Sequence, residues 1–365
     1  MKSLNADETR HAASQLIAGI TRMADRPVRL MEVCGTHTVA IFKAGIRQLL
    51  PEQVELVSGP GCPVCVTPND YLDQAIAYSR QDDVIVTTFG DMLRVPGSTS
   101  TLAAEKAKGA DIRIVYSPLD SLPIAQANKH KKVVFLAVGF ETTAPTAAAT
   151  VLAAAQGRIE NFFVLSAHKL VPPALRALLD DNLTKVDGFL LPGHVSAIIG
   201  EEPYRFLADE YGTPAVIGGF EPLDILQAVY HLVKQISSGT AELENDYRRI
   251  VKPRGNPAAQ TMLDKVYCQS DAAWRGIGVI PQSGLSVNKE YSRFDATISI
   301  PVAAEPLKEH KGCRCGEVLR GLIKPAACGL FGTVCKPEHP VGACMVSVEG
   351  TCAAWHKYGA GRWIV

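Results

Sequence analysis

Ten cysteines in 365 residues are the first chemistry this sequence offers, and they fall into groups. Cys34 heads the run Cys34-Gly35-Thr36-His37-Thr38. Just ahead of a helix, its sulfur would meet unpaired backbone N–H groups and the positive end of the dipole, both of which stabilise a thiolate. His37 follows one turn on, placed to donate to that sulfur or to hold a proton for it. A thiolate beside an imidazole suits a nucleophile or a ligand for a soft metal. The bland alternative is a buried structural cysteine. Cys62-Pro63-Val64-Cys65 is a CxxC in a Gly/Pro-rich turn, a spacing that permits a reversible disulfide. It equally fits half of a zinc site, but no second CxxC lies nearby to complete four ligands.

The C-terminal cysteines carry the strongest signal. Cys313, Cys328, Cys335 and Cys352 are separated by 14, 6 and 16 residues, with Cys315 and Cys344 as surplus sulfurs. Four thiolates on a loop-rich scaffold suit a [4Fe–4S] cluster or structural zinc. Zinc knuckles pair their ligands closely, whereas long loops between single ligands are commoner round a cubane, so the spacing favours the cluster. Spacing alone does not choose four from the six. Cys268 has no neighbouring ligand and reads as packing. Asp91, in Gly90-Asp91-Met92, is a candidate for orienting His37 or a substrate, against the plainer role of a helix cap or Asx turn. His194 is a candidate for an interdomain cleft, and Glu141 and Glu349 sit in polar turns where either can simply be solvated.

These residues need a scaffold, and the hydrophobic pattern supplies one. After an amphipathic opening helix, about Asp7 to Asp25, short β-rich runs alternate with helical stretches. The first runs are Val28–Val33, Val54–Val57, Val84–Thr88 and Ile112–Tyr116; the second series is Val133–Val138, Phe162–Ser166, Gly188–Leu191 and Ala215–Ile217. Helices fit between them, as at Asp70–Arg80, Thr143–Ala155 and Pro222–Ser237. The alternation predicts an α/β protein with two doubly wound, Rossmann-like parallel-sheet domains, over residues 1–120 and 121–239. Residues 240–365 read as a further helical and loop-rich region carrying the cysteine cluster. In such sheets ligands sit outside the carboxyl ends of the strands, where Cys34, the CxxC loop, Asp91, Glu141 and His194 all follow directly.

Composition narrows the partners. Lys plus Arg equals Asp plus Glu at 37 each, so no global field draws in nucleic acid, and no basic stripe is interleaved with aromatics. The most apolar stretch, Val133 to Ala155, contains Glu141 and Pro145, which argues against a membrane span. The acidic N-terminal run to Glu8 lacks the apolar core of a signal peptide, so the expected location is the cytoplasm. There is no GxxxxGK[ST] loop and no GxGxxG opening a helix, so the fold does not imply ATP or NAD. The three closely spaced cysteines of a radical-SAM loop are also missing.

The blocks Glu32 to Thr38, Gly59 to Cys65, Phe89 to Met92, Pro192 to Gly200 and Cys315 to Trp355 closely resemble the HypD family, the iron–sulfur scaffolds of [NiFe]-hydrogenase maturation. The resemblance spans essentially the whole chain. It implies two Rossmann-like domains and a CX14CX6CX16C cluster motif on Cys313, Cys328, Cys335 and Cys352. It implies that the protein, with the small chaperone HypC, holds iron at Cys34 while CN⁻ and CO ligands are attached. Cyanide would come from HypE, and the Fe(CN)₂CO unit would pass to the hydrogenase large subunit.

On that reading His37 tunes the Cys34 thiolate or relays a proton, with Asp91, His194 and Glu349 as further site residues. Cys62 and Cys65 would pass electrons between cluster and iron, because releasing cyanide from a thiocyanate carrier takes two electrons and a dithiol supplies two. The protein would then be a redox-active assembly scaffold rather than a conventional turnover enzyme. Two other classes compete: an iron–sulfur-linked protein disulfide reductase, and a zinc-stapled interaction scaffold without redox activity.

Overall fold

The computed structural model describes residues 5–181, 183–308 and 310–359; Met1 to Leu4 of the N-terminal run lie outside them. Nine strands build two sheets. They are β1 (Val28–Glu32), β2 (Val54–Ser58), β3 (Val84–Thr88), β4 (Ile112–Ile114), β5 (Lys132–Gly139), β6 (Phe162–His168), β7 (Gly188–Pro192), β8 (Ala215–Gly218) and β9 (Leu243–Asn245). One sheet has the order β2-β1-β7-β8-β9 and the other β4-β3-β5-β6, with every neighbouring pair parallel. The α/β class is therefore as the sequence predicts. Parallel strands covered on both faces read as near-continuous apolar runs, as in Val84-Ile85-Val86, where all three are buried.

The strands do not sort into sheets by chain order. After β2 the chain crosses over, builds β3 to β6 as a complete second sheet, and returns to add β7 beside β1. Residues 117–131, between the two strand series read from sequence, thus connect β4 to β5 within one sheet. Hydrophobic periodicity marks where strands lie but carries no information on which of several parallel partners each one takes.

The opening helix, Ala6–Met23, packs on Pro222–Ser238 behind the five-stranded sheet, where a Cβ on Gly19 would stand 2.6 Å from the Tyr230 ring. Fully buried Phe135, Phe162 and Phe189 are each worth about 1.5–3 kcal/mol of apolar burial. Beyond residue 240 the helix Pro257–Val266 leads into an antiparallel hairpin of β10 (Tyr267–Trp274) and β11 (Gly278–Val287). That hairpin is absent from the sequence reading, because its exposed face is polar and broken by glycine. From Ile300 to Gly350 the regular elements are short, as a loop-rich cysteine region requires. The helix Thr351–Tyr358 then docks on Gly35–Lys43, with Trp355 edge-on to Phe42 at 5.3 Å.

Candidate functional site

In the five-stranded sheet the winding direction reverses between β1 and β7, since β2 lies to one side of β1 and β7, β8 and β9 to the other. The crevice outside the carboxyl ends at such a switch point is where doubly wound sheets bind ligands. Cys34 follows β1 and His194 follows β7, so they flank that crevice. The CxxC loop follows β2 and Phe220 follows β8, which extends the row to both sides.

Cys34 is the N-cap residue of Gly35–Lys43; its sulfur makes no cap hydrogen bond, but the nearby backbone N–H groups of Thr36 and His37 pull its pKa down. Even so, burial and the Glu349 carboxylate push the thiol up to about 11. This corrects the expected thiolate: the helix terminus is outweighed, and without a metal the group is a thiol at neutral pH. Glu349 arrives from the C-terminal segment, its Oε1 accepting from Thr36 Oγ1 at 2.7 Å. A Cβ on Gly35 would stand 2.6 Å from Glu349 Cβ, so only glycine lets that segment close over the helix start.

His37 is fully buried, and burial lowers its pKa to about 4, leaving it neutral. Its Nε2 lies 2.9 Å from the carbonyl of Gly219, which can only accept, so Nε2 carries the proton and Nδ1 is a buried acceptor without a hydrogen bond. The ring stacks on Phe220 at 4.5 Å, and His194 stacks on Phe220 at 3.9 Å. Phe220 is thus held between the two imidazoles. Burial also lowers the pKa of His194, against the opposing pull of Glu349.

Cys62 and Cys65 form a disulfide and are 3 % and 0 % exposed. Cys62 caps the short turn Pro63–Val66, its sulfur accepting from the Cys65 N–H at 3.3 Å. The preceding residue, Gly61, lies on the Cys34 backbone, where a Cβ would come within 2.5 Å of Cys34 Cα. On its other side the disulfide reaches the C-terminal cysteines, with Cys65 Sγ 4.0 Å from the carbonyl of Ala343. Cys344 follows at once.

Four of the six C-terminal cysteines, Cys313, Cys315, Cys344 and Cys352, come together. The Cys315 thiol meets those of Cys313, Cys344 and Cys352, and Cys335 is near enough to push the Cys352 thiol up. Cys328 sits at the rim, its Sγ 4.0 Å from the carbonyl of Gly312, one residue before Cys313. The Cys315 thiol draws Cys313 down to about 6, with help from Arg275 and His310, while its neighbours and burial push Cys315 well up. A mostly buried nest of thiols suits a thiolate-ligated metal group. The surplus sulfurs Cys315 and Cys344 lie at its centre rather than apart from it.

Other candidates stand elsewhere. Asp91 lies in the 3₁₀ turn Gly90–Arg94 after β3, and the ring of His37 is oriented by Gly219 and Phe220 instead. Glu141 is buried rather than solvated. Its Oε1 accepts from Val171 N at 2.8 Å, its Oε2 has no hydrogen bond, and burial pushes it up to about 7. Cys268 is exposed on β10, not packed. No described helix is long and apolar enough to cross a membrane.

Comparison with known proteins shows the family. Residues 11–359 match the HypD family, described as the hydrogenase formation hypA family. The chain belongs to the HypD family. It is 48% identical over 336 residues to the hydrogenase maturation factor HypD of Escherichia coli K12, covering 92% of this chain and 90% of that one. It is 46% identical to HypD of Rhodobacter capsulatus, covering 96% of each. A putative hydrogenase expression/formation protein of Methanocaldococcus jannaschii is 44% identical, over 93% of this chain and 95% of its own.

Within this HypD-family chain, sequence reasoning missed Phe220, Gly219 and Arg275. Phe220 has no polar atom to flag it; its only cue is the Gly218-Gly219 pair at the end of β8, where a Cβ on Gly218 would meet Leu190 at 2.7 Å. The cue for Cys315 and Cys344 is their mere presence among the six.

Proposed function

We propose that this hydrogenase maturation factor is the site at which the iron of the Fe(CN)₂CO unit is held and given its ligands. One observation carries the reading: a continuous run of contacts leads from Cys34 through Gly61 and the Cys62–Cys65 disulfide to Ala343 and the cysteine nest. Cys34 binds the incoming iron and loses its proton as the Fe–S bond forms. HypC supplies a second thiolate, HypE delivers cyanide, and the finished unit passes to the hydrogenase large subunit, all in the cytoplasm.

Cys313, Cys328, Cys335 and Cys352 would hold a [4Fe–4S] cluster, which would supply electrons one at a time. Reduced Cys62 and Cys65 supply the pair that cyanide release needs. The carrier's S–C bond breaks, cyanide goes to the iron, the carrier thiolate departs, and the two thiols close to a disulfide with loss of two electrons and two protons. A protein disulfide reductase is the weaker reading, because it leaves Cys34 and its backbone contact with the disulfide loop without a role.

The test is iron and sulfide content, with an optical spectrum, on protein purified without oxygen. The expectation is about four iron and four sulfide per chain, lost in Cys328→Ala, plus further iron removed by Cys34→Ala. Zinc without sulfide overturns the redox reading. Full cyanide transfer by Cys62→Ala with an intact cluster overturns the dithiol's role.

A further inference from the structure

The tip of the β10–β11 hairpin, Arg275-Gly276-Ile277, is wedged between the disulfide loop and the cysteine nest. On one side the Arg275 backbone N–H donates to the carbonyl of Val66 at 2.8 Å, and its Nε donates to the carbonyl of Thr67 at 2.9 Å. Those carbonyls belong to the turn that carries Cys65 and to the residue after it. On the other side a Cβ on Gly316 would come within 2.6 Å of Gly276 Cα, so the hairpin tip rests on the backbone directly after Cys315.

The Arg275 side chain lines a cavity of about 240 Å³ together with Cys313, Cys315, His310, Arg314 and Arg320. Two of these cations are spoken for: Arg314 pairs with Glu317, and Arg320 with Asp181 at 3.1 Å. Arg275 has no ion pair among the described residues, and its Nη2 is buried without a hydrogen bond. An enclosed guanidinium with an unused N–H is costly unless an anion faces it. Thiolate-ligated clusters carry net negative charge, and their potentials respond to hydrogen bonds and nearby charge.

We propose that Arg275 is a positioning residue that sets the reduction potential of the centre held by the cysteine nest, while fixing the disulfide loop against it. The inference rests on the cluster reading above. Its Nε and backbone N–H anchor it to the disulfide loop, and its charge acts on Cys313 across the cavity that both line. An electron added to the centre is stabilised by that charge, so the reduced state is favoured. One residue thereby ties the geometry of the two-electron couple to the energetics of the one-electron centre.

The experiment is a redox titration of the full-length protein, purified without oxygen, with iron and sulfide measured on each sample. Arg275→Met and Arg275→Gln remove the charge, and the Gln amide keeps a donor for the Thr67 carbonyl; Arg275→Lys keeps the charge. We expect both neutral variants to hold a full cluster and to disfavour its reduction about tenfold, 59 mV for one electron. Arg275→Lys should remain near wild type. A merely structural role would lower cluster content or stability and leave the potential of the remaining clusters in place, which overturns the inference. Wild-type protein without sulfide overturns the cluster reading and this role with it, a result distinct from a cluster whose potential ignores Arg275. Loss of cluster in all three variants overturns a charge-based role.

Discussion

Gly61 lies so close to Cys34 that any side chain at position 61 would collide with the Cys34 backbone, a Cβ standing 2.5 Å from its Cα. The Gly35 N–H also donates to the Gly61 carbonyl at 2.9 Å, so the loop leading into the disulfide is fastened to the start of the helix that Cys34 caps. The contact is backbone on backbone. It fixes the start of the helix that Cys34 caps against the loop that carries the dithiol.

Gly61→Ala should therefore act on both sites at once. The neighbour is main chain and cannot swing aside, so the expected cost is about 1–3 kcal/mol, read as a lower denaturant midpoint. Iron bound at Cys34 should fall with it, while cluster content stays at the wild-type level. An unchanged midpoint with unchanged iron would show that the two loops are not fastened here.

Glu349 adds to burial in suppressing the reactivity of Cys34. With the thiol pushed up to about 11 by burial and by this carboxylate, only about one molecule in a thousand carries the thiolate at pH 8. Alkylation of metal-free protein by iodoacetamide, mapped to Cys34 by mass spectrometry, should be slow at pH 7 to 8 and climb steadily toward pH 10. Glu349→Gln removes the negative charge, lowers the thiol pKa and should speed that alkylation several-fold at fixed pH. Exposed Cys268 is the internal control, and its rate should not change. Equal Cys34 rates in the two proteins would mean that burial alone sets the thiol.

Strands, first helices and the three cysteine groups were legible because each has a local signature. Val-rich runs gave β1 to β8 to within about two residues, and glycine-rich turns after them flagged Cys34, the CxxC loop and His194. Strand pairing was not legible, because β1 finds β7 across more than 150 residues and nothing local encodes that choice. The thiol state of Cys34 was misread for a related reason. A helix N-terminus is visible in sequence, whereas Glu349, which opposes it, comes from the far end of the chain. Phe220 was invisible since its role lies in what stacks on either side of it.

The end of β1 is tied to the helix beneath it by a buried ion pair. Glu32 is 1 % exposed, and its Oε1 accepts from Arg47 at 2.6 Å and from Ser58 at 2.8 Å. Arg47→Met leaves that carboxylate with Ser58 alone and should cost about 3–5 kcal/mol in urea unfolding at pH 7. Burial already raises the Glu32 pKa above its ordinary value, and losing Arg47 raises it further. The folded carboxyl then binds a proton more readily than the unfolded one, so stability is greatest below the ordinary carboxylate range and falls as pH rises. The variant's deficit should thus shrink between pH 7 and pH 5. A deficit that grows on acidification would mean that the carboxylate finds another cation.

Phe220 spaces the two imidazoles of the crevice, His37 on one face at 4.5 Å and His194 on the other at 3.9 Å. Phe220→Leu keeps apolar bulk but removes the flat surface on which both rings are aligned. Stability should change by no more than about 1.5 kcal/mol, since the residue is only half-buried and the swap keeps its apolar character. The site itself should suffer more. His37 keeps its bond to the Gly219 carbonyl, whereas His194 makes no hydrogen bond among the described residues and loses the stack that aligns its ring. Iron at Cys34 should then be lost to a chelator several-fold faster, with cluster iron untouched. His194→Ala in the same background should add little, because the ring it removes is already unaligned; full additivity of the two substitutions would show that His194 is positioned by something other than Phe220.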